Sequence, residues 1–198
     1  MRAGVIVACV LILAAALAPR AAQAAEPGWV TDKRAGCKVW DRDPDPKDTI
    51  TWSGRCQNGM AQGPGVVEWF VDGQPYGRDE GEYRDGKMNG RGVLTWVNGA
   101  RFEGEFRDDM KNGPGVWKSS KGDRFEGVYL DDLRTGHGVE IFANGNRFEG
   151  EYRGGKSNGR GVYTLASGEV FDGLWTNGCF SDGNRWAAIG VDPAACHH

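Results

Sequence analysis

The chain has 198 residues, 39% of them hydrophobic, with 32 glycines and a net charge of −3, which is one domain's worth of sequence with no space for a separate catalytic domain. Acidic balance with interspersed charges argues against nucleic acid and anionic membrane surfaces as partners, since both are met by clustered Lys and Arg.

Residues 1–24 read as a secretory signal peptide: Arg2 gives a positive start, Val5 to Ala18 is apolar, and Ala22-Gln23-Ala24 offers small residues for cleavage near Ala24. About 14 apolar residues are too few to span a bilayer. Too little hydrophobic sequence precedes Cys9 for a lipoprotein signal. Cleavage removes Arg2 and Arg20, leaving 22 basic and 27 acidic residues on an exported, periplasmic or secreted bacterial protein. Residues 25–48 form a leader whose two Asp-Pro steps (Asp43-Pro44, Asp45-Pro46) keep it extended or turning. Trp29 and Trp40 are expected to pack on the first unit that follows.

From 49 to 178 the chain repeats itself. Phe102-Glu103-Gly104-Glu105-Phe106 returns as Phe125-Glu126-Gly127-Val128-Tyr129, Phe148-Glu149-Gly150-Glu151-Tyr152 and Phe171-Asp172-Gly173-Leu174-Trp175, each 23 residues after the last. An upstream copy, Asp79-Glu80-Gly81-Glu82-Tyr83, carries Asp in place of the first Phe, and a degenerate one opens the series at Trp52-Ser53-Gly54-Arg55-Cys56. A fixed period of this length marks an array whose units bury a core only against neighbours.

At period 2, Phe102, Gly104 and Phe106 face one side of a strand and Glu103 and Glu105 the other. Glycine in a strand marks a close approach, and a ring from the adjacent unit is expected over each one. A charged connector (Arg107 to Asn112) leads to a second phrase, Gly113-Pro114-Gly115-Val116-Trp117, and Asn98-Gly99, Lys121-Gly122, Asn144-Gly145 and Ser167-Gly168 supply the positive φ of tight turns. Each unit is thus strand, loop, strand, tight turn, with strands of about five residues. Gly54 to Gly81 spans 27 residues instead of 23, which predicts a bulge or longer loop around Val71 to Tyr76. Glutamates and arginines on the outward face predict cross-strand pairs of ~0.2–1 kcal/mol each. A calcium site built from those carboxylates would compete with the arginines.

These phrases resemble the MORN repeat, a 23-residue β-hairpin unit. The resemblance covers about Trp52 to Gly178, in five full units and a partial sixth. It implies an all-β fold, an elongated twisted single sheet of stacked antiparallel β-hairpins. The repeat's structural positions are then Gly81, Tyr83, Phe102, Gly104, Phe106, Phe125, Gly127, Tyr129, Phe148, Gly150, Tyr152, Phe171, Gly173 and Trp175. Some such arrays accompany kinase or methyltransferase domains, for which no sequence remains here. The family's name suggests lipid contact, against which the acidity and the lack of a basic patch argue.

Residues 179–198 leave the repeat and read as a C-terminal cap with one more short strand. With Cys9 removed, Cys37, Cys56, Cys179 and Cys196 remain, all in the end regions. Four cysteines allow three connectivities, but twelve strands at ~4.8 Å make an array of roughly 50–60 Å, so only Cys37–Cys56 and Cys179–Cys196 can form along a straight array. The same distance excludes a zinc site, and no Cys-x-x-Cys suggests redox work. The bonds would cap both ends, with Trp29 and Trp40 over one and Trp186 over the other, and keep the protein a monomer.

No catalytic residue, metal ligand or cofactor site is identified. His137 occupies a variable position, no serine sits in a nucleophile elbow, and each Gly-x-Gly precedes a hairpin strand instead of a helix. Trp96, Trp117, Phe142 and Tyr163 share the parity of their glycines, as array core or as a ligand platform. The function expected is a non-enzymatic binding or scaffolding module of the cell envelope, presenting a sheet face to an unidentified envelope protein or polymer. The alternatives are a carbohydrate-active or other hydrolase using groove carboxylates, and a lipid-associating module.

Overall fold

The computed structural model describes residues 28–196, so the signal peptide expected at 1–24 lies outside the described residues. The leader forms an antiparallel hairpin, β1 (Gly28–Asp32) and β2 (Cys37–Asp41). The degenerate first unit supplies β3 (Asp48–Trp52), β4 (Arg55–Gln57) and the long β5 (Met60–Val71), against which both pair. Four hairpins follow: β6 (Gln74–Arg84) with β7 (Lys87–Trp96), β8 (Arg101–Arg107) with β9 (Met110–Lys118), β10 (Arg124–Leu130) with β11 (Leu133–Ile141), and β12 (Arg147–Arg153) with β13 (Lys156–Thr164). The chain closes with β14 (Val170–Thr176), β15 (Cys179–Ser181), β16 (Trp186–Ala188) and a 3-10 turn at Pro193–Cys196. All sixteen strands join one open sheet in which β5 to β16 lie side by side in chain order. The expected all-β sheet of stacked hairpins is therefore present. The one exception to antiparallel pairing is a parallel bridge between Lys38 of β2 and Met60 of β5.

Period-2 reading holds throughout the repeats. Phe102 is opposite Trp117, Gly104 opposite Gly115 and Glu103 opposite Val116, so aromatics and glycines share one face. One glycine from every strand between β5 and β14 aligns into a ladder: Gly65, Gly81, Gly92, Gly104, Gly115, Gly127, Gly138, Gly150, Gly161 and Gly173. Over Gly104/Gly115, Gly127/Gly138 and Gly150/Gly161 the ring comes from the same unit, correcting the expectation of a neighbour's ring, whereas Gly92, in the unit where Asp79 replaces Phe, meets Phe106 of the next unit. A Cβ on Gly127 or Gly138 would lie 2.6–2.7 Å from Phe125, and one on Gly150 or Gly161 2.5–2.8 Å from Phe148. With no Cβ two residues on, each Phe lies down along its own strand. Its ring then meets the second aromatic of its own strand and that of the next unit: Phe125 lies 5.5 Å from Tyr129 and 5.0 Å from Tyr152, both edge-to-face. This zigzag runs from Phe102 to Trp175 and forms the core, with Phe102, Phe125 and Phe148 fully buried.

Turn roles are exchanged relative to the sequence expectation. The charged connectors are mostly strand, because two residues with positive φ close each hairpin: Asp85-Gly86, Asp108-Asp109, Asp131-Asp132, Gly154-Gly155 and Asn177-Gly178. The Asn98-Gly99, Lys121-Gly122, Asn144-Gly145 and Ser167-Gly168 segments are the wider loops, between strands that end at 96, 118, 141 and 164 and resume at 101, 124, 147 and 170. Repeat strands consequently run 7 to 12 residues instead of about five. The extra residues between Gly54 and Gly81 lengthen β5 and β6, which carry a bulge near Trp69 and Phe70 yet turn in two residues at Asp72-Gly73.

The expected cross-strand pairing is present between Glu68 and Arg78 at 3.0 Å, but the glutamates of the three following units pair along their own strand. Arg101–Glu103 (2.7 Å), Arg124–Glu126 (2.5 Å) and Arg147–Glu149 (2.5 Å) are all two residues apart. The reason lies in the register: the cross-strand neighbours of these three glutamates are valines, as Val116 and Val139 flank Glu126.

Disulfides join Cys37 to Cys56 and Cys179 to Cys196. At the first end Trp29 and Trp40 meet edge-to-face at 4.9 Å against the Asp85-Gly86 turn of the second unit, where the Trp40 N–H donates to the Gly86 carbonyl, instead of on the first unit. Asp32, 1% exposed, accepts the Trp52 N–H at 2.9 Å and ties this hairpin to β3. At the far end Trp186 sits in the edge strand β16 opposite Ser181 and is 42% exposed. Cys179→Ser opens a loop of sequence separation 17 and is expected to cost about 3 kcal/mol by chain entropy. Urea denaturation of the variant beside the oxidised wild type measures it, and coincident curves would show that this end needs no cap.

Candidate functional site

Glu140 takes the place of Trp117 and Tyr163 in the unit of Phe125, and this divides the four candidate rings. Trp96 and Trp117 meet edge-to-face at 5.2 Å, and Phe142 and Tyr163 at 5.9 Å. Trp96, Trp117 and Phe142 are half-buried against the core, whereas Tyr163 is 8% exposed and its hydroxyl accepts from Asn146 at 2.7 Å. They form two separate ledges along the border of the core. Between the ledges, Glu140 is buried in an ion pair with Arg134 (2.7 Å) and accepts from the Tyr152 hydroxyl at 3.1 Å. Burial and the Glu140 carboxylate push the Tyr152 hydroxyl well above its ordinary range.

The glutamate face offers a second surface. A groove of about 580 Å³ crosses β6 to β10 behind the glycine ladder. Glu80, Val93, Glu103, Val116 and Glu126 line one side, and Arg91, Glu105, Pro114 and Val128 the other. The first wall alternates glutamate and valine, so a bound chain meets the same chemistry there every two strands, while the second wall differs from strand to strand.

A third feature lies where the repeat breaks. A cavity of about 210 Å³ opens between the leader hairpin and β5–β8, lined among others by Trp40, Trp69, Tyr76, Asp79, Trp96 and Asp109. Asp79 holds the position where the other units carry a core Phe. Its Oδ2 accepts the Trp69 indole N–H at 2.6 Å. Burial pushes its carboxyl up to about 7 against that hydrogen bond, and the charges of Asp109, Asp41 and Glu68 add to the effect. Asp109, in the next hairpin's turn, accepts the Met88 N–H at 2.6 Å through Oδ1, while its Oδ2 is buried without a hydrogen-bond partner. Burial raises Asp109 to about 6 despite that bond and the charges of Lys87 and Arg42. The sequence showed Asp79 as a departure from the pattern. It gave no sign that Asp109, Trp40 and Trp69 would meet it, since that depends on how the leader hairpin docks. Among the described residues, no group of three or more His, Cys, Asp or Glu is placed to hold a metal ion.

Comparison with known families fits this geometry. Residues 80–170 match the MORN repeat. The family model matches four consecutive units, 80–101, 102–124, 125–147 and 148–170. The glycine ladder, the zigzag of rings and the two-residue turns described above are how these matched units stack. No curated protein gives a significant match. Among solved structures, the TCP domain of Drosophila melanogaster SAS-4 (dCPAP), in complex with a proline-rich motif of Ana2 (dSTIL), aligns with 81% of this chain and 98% of its own at 14% identity. Its TM-score is 0.32, and nothing is carried over from it.

Proposed function

We propose that this protein is a non-catalytic binding and scaffolding module of the cell envelope, exported by its first 24 residues and monomeric, which presents a sheet face to an extended protein or polymer partner. The observation that carries this is the groove on the glutamate face. It is long and shallow, with one wall of alternating carboxylates and valines, and such a surface suits a ligand that runs across strands. MORN repeats support a binding or scaffolding role in general terms. The half-buried edges of Trp96 and Trp117 offer a smaller ledge on the opposite face, with Phe142 and Tyr163 as its counterpart two strands further on.

Val116 lies mid-groove and faces solvent between Glu103 and Glu126, so Val116→Arg changes the groove without touching the core. Immobilised wild type is expected to retain a partner from envelope extract that Val116→Arg releases and Lys121→Glu, in a loop outside the groove, still holds. Equal capture by all three proteins, or none by any, rules out the groove. Hydrolysis of an envelope polysaccharide by the wild type, lost in Asp79→Asn, would replace binding with catalysis. Asp79 and Asp109, held near neutral pH, are the carboxyls such chemistry would use.

A further inference from the structure

The repeats carry a cation on the core ring in successive units. In the unit of Phe102, the Lys111 ammonium lies 5.3 Å from that ring and 3.5 Å from Asp132. One unit later the Arg134 guanidinium lies 4.3 Å from the Phe125 ring and pairs with Glu140 at 2.7 Å. Counting back 23 residues from Lys111, Phe102 and Asp132 gives Met88, Asp79 and Asp109. The carboxylate of the set is kept, a second one stands in place of the ring, and the cation is replaced by a neutral thioether.

This is the position of the junction cavity. Trp40, Trp69, Tyr76 and Trp96 wall it, and Asp109 presents a buried oxygen with no partner. Asp41, Arg42 and Tyr83 also border it. The two nearest basic side chains reach the edge of the cavity without bonding either carboxylate: Arg42 bonds Asp132 at 2.7 Å and the Asp109 backbone carbonyl at 3.5 Å, and Lys87 lies 4.7 Å from the Trp40 ring. Aromatic faces with carboxylates at one end bind ammonium groups, because ring quadrupole and anion both favour positive charge while the walls exclude water. Burial raises the titration of both carboxyls, and the charges acting on Asp79 are all carboxylates, which agrees with a place for a cation beside it.

We propose that the junction cavity binds a small organic ammonium ion, seated between Asp79 and Asp109 where the next repeat seats the ammonium of Lys111. This site is separate from the groove, and either can fail without the other. The ligand is a free alkylammonium or the ammonium headgroup of a lipid. A neutral molecule of the same shape would fit the walls but leave both carboxylates without a partner.

Tryptophan fluorescence is the readout, since three of the walls are indoles, and the protein is the oxidised, signal-free chain above neutral pH at constant ionic strength. Titration with choline chloride is expected to give a saturable change, and 3,3-dimethylbutanol, its uncharged isostere, none. Asp79→Asn keeps an acceptor for Trp69 and should weaken choline by about tenfold, the loss of one close charge contact. Met88→Lys restores the repeat's own cation and should abolish the response; if that variant does not fold, Asp79→Asn decides. A response to phosphatidylcholine vesicles but not to free choline assigns the ammonium to a lipid headgroup. An equal response to the isostere, an unchanged affinity in Asp79→Asn, or no saturable change with either choline or vesicles overturns the proposal.

Discussion

Gly127→Val should cost more than about 3 kcal/mol or prevent folding, while Glu126→Val, one residue away, should shift stability by less than about 0.5 kcal/mol. A Cβ at 127 would lie 2.6 Å from the tip of the Phe125 ring and 3.0 Å from the Gly138 backbone, and Val adds two methyl groups beyond it. Phe125 cannot retreat, because Tyr129 and Tyr152 hold it edge-to-face and Arg134 lies across it. Backbone relief would have to separate β10 from β11. Glu126 faces the other way, between Val116 and Val139, and loses only an exposed pair with Arg124. Urea denaturation of the two variants decides this, and matching midpoints would show that the ladder tolerates side chains.

The second large effect is a dependence on pH. Folded Asp79 titrates at about 7 where an unfolded aspartate titrates at 3.8, so the native state holds this proton more tightly. Stability should therefore fall as pH rises from about 4 to about 7 and level off above. Asp109, raised to about 6, acts in the same direction over most of that window. Asp79→Asn carries no charge to bury. It should be more stable than wild type at pH 8 by a few kcal/mol, with about 4 kcal/mol as the ceiling at about 1.4 per pH decade, and equal to it near pH 3. Asp32 works oppositely in a lower window. Burial opposes its charge, but hydrogen bonds from Arg34 and the Trp52 N–H hold it at about 2, so its contribution is lost only as pH drops below 3.8. Denaturation of wild type and Asp79→Asn at pH 5 and pH 8 measures the difference, and parallel losses in both would show that Asp79 is solvated in the folded state.

The alternation of Phe102, Gly104 and Phe106 was legible because a strand's faces follow parity and the chain repeats the phrase in register. What glycine did within it was less legible. Sequence says that something comes close, but whether the ring arrives from the same strand or the next depends on a side-chain rotamer. Turn positions were misread for a chemical reason: Asn-Gly is the stronger tight-turn signal, yet Asp108-Asp109 and Asp131-Asp132 adopt positive φ without glycine. Each of those turns is held by the neighbouring unit, as when the Asp109 N–H donates to the Met88 carbonyl at 3.0 Å, and that support is tertiary. The junction cavity was half legible. Asp79 was visible as a substitution in the pattern and Met88 lies 23 residues before Lys111, but that Lys111 sits over the Phe102 ring is a tertiary fact.

Neighbouring strands of this sheet are joined by hydrogen bonds that run along its length, and β5 to β16 follow one another in chain order. Tension applied between its two ends would therefore load those bonds in line and a few at a time, so that strands peel apart instead of shearing together. The molecule would lengthen in steps of one 23-residue hairpin, each releasing roughly 70–80 Å of chain. The disulfides, confined to the first and last units, would leave the steps between them untouched. Such a chain yields gradually to force, as an extensible strap does, and the units left intact keep their grooves.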